Sequence, residues 1–149
     1  NKAILRTTYT KSLQHLDLNK RLLVAEDALN FVNVLFFAKN YGCIADELYH
    51  YYENADSIMQ RTDAQKLHLA LQNHRFVIDT LLAQSKHFSS FCQNLAKIFA
   101  LELEITLLNE KRKMYKSSLF YVASSIYKKI LRMKQKWILC NLQKNDLIA

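Results

Sequence analysis

The feature that most constrains this chain is a near-absence: 149 residues contain no proline and a single glycine, Gly42. Sheets and barrels need turns, and tight turns need Gly or Pro to supply φ angles that other residues resist. A chain that lacks both, and is rich in Leu, Lys, Ala, Glu and Gln, is written for helices. Half of its residues are hydrophobic and 11% are aromatic, too much apolar material for a segment that stays unfolded. The length suits one ordinary domain with its own core.

Apolar spacing places the helices. After a weakly periodic stretch over 3–16, read as a short helix or docked arm, Asp17 or Asn19 is positioned to cap the next helix. From Leu22, the residues Leu22, Ala25, Leu29, Val32 and Phe36 recur at steps of three and four, widened by Val24, Ala28, Phe31 and Leu35. That breadth belongs to a central helix, and Gly42 is the residue free to end it in the left-handed conformation. A second pattern runs over about 43–60. Thr62 and Gln65 have capping-box spacing and open a third, with Leu67, Ala70, Leu71, His74, Val77, Ile78, Leu81 and Phe88 on one face. Ser90 and Gln93 repeat that spacing, which suits a break over 85–90, although a continuous helix through it fits the pattern equally; the fourth helix, over about 91–108, is expected to bury Phe91, Leu95, Ile98, Leu101, Ile105 and Leu108. The last helix comes after a polar turn over 109–118 and carries the stripe Leu119, Val122, Ala123, Ile126, Ile130, Met133, Trp137 and Cys140. Such a stripe predicts a buried face, with Trp137 in the core. The fold expected is all-α, an antiparallel bundle of four to five helices in a single domain over 1–149; a start at Asn1 rather than Met suggests a piece of a larger protein.

Charge is distributed unevenly. Residues 109–149 hold ten Lys or Arg (Lys111, Arg112, Lys113, Lys116, Lys128, Lys129, Arg132, Lys134, Lys136, Lys144) against Glu110 and Asp146, so the whole net charge of +8 resides there. On a helical wheel Lys128, Lys129, Arg132 and Lys136 gather in one quadrant with Tyr121, and Lys113 and Lys116 precede the helix. These seven residues are the candidate contact face for an anionic partner. Lysine predominates, which suits a diffuse acidic surface better than bidentate recognition. An acidic protein surface is the first expectation and an anionic, phosphoinositide-type membrane surface the second; a nucleic acid comes third, because no array of base-reading side chains and no set of exposed stacking aromatics accompanies the cations.

Catalytic and metal constellations are thin. Glu47 and His50 have an i, i+3 spacing used in carboxylate-bridged metal bundles, but no second copy exists and both fall outside the apolar arc of their helix. His74 and Glu102 sit inside apolar stripes, where each needs a partner, and they would satisfy each other if their helices were neighbours. Tyr41, Tyr49, Tyr51 and Tyr52 cluster in sequence, with Tyr49 alone placed for exposure. One glycine cannot build a phosphate-binding loop, and Cys43, Cys92 and Cys140 have no motif around them. Neither an enzyme, a cofactor nor a bound metal is expected. The longest uncharged runs, 28–38 and 117–127, are about half of the roughly 20 residues that a spanning helix needs. Three unpaired cysteines suit a reducing compartment, so the expected location is intracellular, in the cytoplasm or at a membrane periphery.

Overall fold

The computed structural model describes residues 4–14, 16, 22, 24–40, 42, 64–115 and 117–146. Among these residues five α-helices form an antiparallel bundle: α1 (Arg6–Leu13), α2 (Glu26–Phe37), α3 (Ala64–Ser85), α4 (Ser90–Met114) and α5 (Ser118–Asp146). Among the described residues, α1 packs on α2, α2 packs on α3 and α4, α3 on α4, and α5 on α4 alone.

The apolar core is assembled by α2, α3 and α4. Leu29, Val32 and Phe36 of α2 meet Val77, Ile78 and Leu81 of α3 and Cys92, Ala96, Ala100 and Leu103 of α4. The α2 and α3 residues are the ones their spacing predicts. Ala96 and Ala100 are small, so α4 can approach its neighbours closely. Phe88, in the joint between α3 and α4, closes one end by stacking at 4.9 Å on Phe36 and edge-on at 5.1 Å on Phe37.

Helix ends depart from expectation in three places. Of the two readings open at 85–90, the chain takes the break, with Ser89 rather than Ser90 as the cap, its Oγ accepting the Cys92 N–H at 3.3 Å. Helix α4 continues through the polar run expected to be a turn, because Asn109 and Arg112 are held by α5. Helix α2 ends at Phe37 on an extended Ala38, well before Gly42, which takes no positive φ. The left-handed residue lies at the other end of α2: Ala25 caps it at φ 64°, with its carbonyl accepting the Leu29 N–H at 3.1 Å. An alanine there bears the steric cost that glycine avoids. Ala25→Gly should therefore raise stability by about 0.5 to 1 kcal/mol, after allowance for glycine's freer unfolded chain, read as a higher urea midpoint at unchanged slope. The proposed caps Asp17, Asn19 and Thr62, the helix over 43–60, the pair Glu47 and His50, and the tyrosines at 41, 49, 51 and 52 lie outside the described residues.

Candidate interaction surface on the last helix

Helix α5 faces the opposite way from the one its apolar spacing predicts. Its apolar stripe points away from the bundle: Leu119 is 82% exposed, Met133 70% and Trp137 69%, with Val122, Ile126 and Ile130 also exposed. The side turned to α4 carries Ser124, Leu131 and Gln135, all buried. Trp137 is therefore a surface residue. The fourth helix shows the same exchange, since Phe91, expected in the core, is half exposed while Cys92 and Ala96 are buried.

What holds α5 down is a polar seam. As residue numbers rise along α5 they fall along α4, the mark of an antiparallel pair. At the start of α5, Arg112 donates from Nε to Ser124 Oγ at 2.6 Å, from Nη2 to the Tyr121 carbonyl at 3.2 Å, and to Ser125 Oγ. One turn on, Lys128 Nζ donates to Asn109 Oδ1 at 3.1 Å. Next, Arg132 grips Glu102 through both nitrogens, at 2.5 and 3.1 Å, and donates to Gln135 Oε1 at 2.9 Å. Gln135 completes the set, its Nε2 donating to Glu102 Oε2 at 3.0 Å and to the Ile98 carbonyl at 3.1 Å. Leu131 and Ile105, each only 1% exposed, supply buried apolar area beside this ladder.

Glu102 is the electrostatic centre of the seam. Partial burial acts to raise its pKa, but hydrogen bonds from Gln135 and Arg132 and the charges of Arg132 and Lys128 outweigh it and hold the carboxyl below its ordinary value. Glu102 is thus partnered by α5 and not by His74. That imidazole, buried on α3, bonds through Nδ1 to the Ala70 carbonyl one turn back at 2.8 Å. Among the described residues no three His, Cys, Asp or Glu side chains gather as a metal site.

The seam divides the predicted contact face in two. Lys128 and Arg132 turn inward to α4, and Lys113 pairs with Glu110 at 2.7 Å. Tyr121 is exposed, but the Arg112 guanidinium covers one ring face at 4.6 Å. Lys116 lies outside the described residues. Lys129 and Lys136 are exposed and have no ion-pair partner among the described residues, and the same holds for Lys134. Between the two groups runs a shallow groove of about 500 Å³, lined by Arg112, Ser125, Lys128, Lys129, Arg132, Met133 and Lys136. Spacing alone pointed to the stripe and to the lysines, but assigned the stripe to the core; the signal available against that was the row Ser124, Lys128, Gln135, polar residues whose side chains can bond across a helix pair. No helix among the described residues is long and apolar enough to cross a membrane. No family model, curated relative or solved structure matches the chain.

Proposed function

We propose that this chain is a non-catalytic interaction module that docks on an acidic partner surface through α5. The observation that supports this most directly is the outer side of α5, where an exposed apolar stripe lies between exposed lysines, Lys129 and Lys136 on one flank and Lys134 on the other. Contiguous apolar surface of this kind is uncommon on a protein that works alone. The lysines steer an acidic partner, and the stripe supplies area to bury once it arrives.

The test must spare the seam. Reversing Lys128 or Arg132 breaks bonds to α4, so loss of binding there would report the fold. Substituting Lys129, Lys134 and Lys136 by Glu together should weaken capture of partners from extract by more than about tenfold at low salt, while helical circular dichroism and melting stay unchanged. Capture that survives the triple substitution rejects the proposal. A second reading, attachment to anionic phospholipid, is favoured by Trp137 standing among lysines on an exposed stripe. Sedimentation with phosphatidylserine vesicles decides between the two.

A further inference from the structure

The outer stripe of α5 has a stricter order than amphipathicity requires. Leu119, Ala123, Ile126, Ile130, Met133, Trp137 and Cys140 alternate steps of four and three without interruption, which is the d-a-d-a-d-a-d sequence of a coiled-coil seam. Every one of these residues is exposed. The stripe runs for about 30 Å along the helix. A helix that lies in lipid or on a globular core buries a broader arc at a period of 3.6, whereas a row held to 3.5 is the period at which one helix follows another.

The positions bordering the row select the occupant. With Ala123 at a, the g positions read Val122, Lys129, Lys136 and Gln143 and the e positions Phe120, Tyr127, Lys134 and Asn141, so every charge on the flanks from 119 to 143 is a lysine and none is an acid. A second copy of this chain would set lysine against lysine whether it lay parallel or antiparallel, because g meets e in one case and g meets g in the other. Each copy would also bring a net charge of +8. A partner helix with Glu or Asp on its flanks meets the same lysines with attraction. Resting on the docking role proposed above, we infer that α5 forms one half of a heterotypic coiled coil with an acid-flanked amphipathic helix of another protein. Side-chain size adds a signature: the partner layer facing Trp137 is small and the layer facing Ala123 is large, so that the two rows interdigitate.

The chain carries its own reporter, since Trp137 is its one tryptophan and is exposed. The probes are two designed heptad peptides with Leu and Ile at a and d, Ala opposite Trp137, and Glu or Lys throughout e and g; flank repulsion keeps each monomeric. The Glu-flanked peptide should bind the full chain one to one and shift Trp137 emission to the blue, and the Lys-flanked peptide should bind at least about tenfold more weakly. Substituting Lys129, Lys134 and Lys136 by Glu should reverse that preference. Ile126→Asp and Met133→Asp, both on the outer face, should each lower affinity about tenfold or more with circular dichroism unchanged. Equal affinity for the two peptides overturns the inference. So does a free chain that sediments as a dimer with Trp137 already blue-shifted, and so does a Trp137 shift produced by phosphatidylserine vesicles but not by the Glu-flanked peptide. If unstructured polyglutamate is bound and the lysine reversal releases it, while Ile126→Asp leaves both ligands unaffected, docking on acidic surfaces stands and the coiled coil falls.

Discussion

Leu131→Ala should cost the fold about 3 kcal/mol, whereas Trp137→Ala, less than two turns away on the same helix, should change it by less than about 0.5 kcal/mol. Leu131 is 1% exposed and Trp137 69%. Truncating the leucine loses its transfer free energy and leaves a cavity between α4 and α5. Truncating the tryptophan removes a ring that mostly touches water, although tryptophan is ordinarily among the most costly residues to delete from a core. Urea denaturation of both variants reads the two values directly. If α5 were turned over, so that its apolar stripe met α4, the order would invert. The comparison is therefore a measurement of helix orientation.

Arg132→Glu should destabilise the domain by about 2 kcal/mol, while Lys136→Glu, one turn on, should change stability by about 0.5 kcal/mol or less. The reversal at 132 breaks the two-nitrogen grip on Glu102, sets two carboxylates against each other and removes a donor from buried Gln135. Combining it with Glu102→Arg should recover part of the loss, the coupling that a double-mutant cycle isolates. The same pair predicts an acid response. Because the folded pKa of Glu102 is depressed, the unfolded chain takes up its proton more readily. Its contribution is complete above the unfolded carboxyl pKa and disappears as pH falls through that value and then through the folded one. Glu102→Gln should accordingly be less stable than the wild type at neutral pH and lose less on acidification.

The inner bundle was legible because its residues obey one rule. Leu29, Val32 and Phe36 on α2, and Val77, Ile78 and Leu81 on α3, are apolar at helical spacing and buried as a set. On α5 the same rule misleads, since an apolar stripe shows that a face is to be covered without showing by what. The face that meets α4 is instead bonded through Ser124, Lys128, Arg132 and Gln135, residue types that a wheel assigns to water. Their partners lie 12 to 37 positions away in the chain, so pairing them requires the helices to be docked first. Ala25 shows a smaller form of the problem, because nothing in an alanine announces a left-handed backbone. A charge count locates the lysines, but only the docked helices separate Lys128 and Arg132, which hold the seam, from Lys129 and Lys136, which have no ion-pair partner among the described residues.

A seam made of hydrogen bonds behaves differently from one made of methyl groups. Apolar side chains tolerate sliding, whereas the Ile98 carbonyl, the Glu102 carboxylate, Asn109 and Arg112 stand at fixed intervals along α4 and each meets its own partner or partners on α5. A slip by a single turn would strand several of these groups together, and a rotation about the helix axis would do the same. Helix α5 is thus keyed to its support as a rack is to a pinion. Its outer row keeps a constant phase and azimuth, so a partner of the kind proposed would meet a template already set rather than a helix that must first find its place.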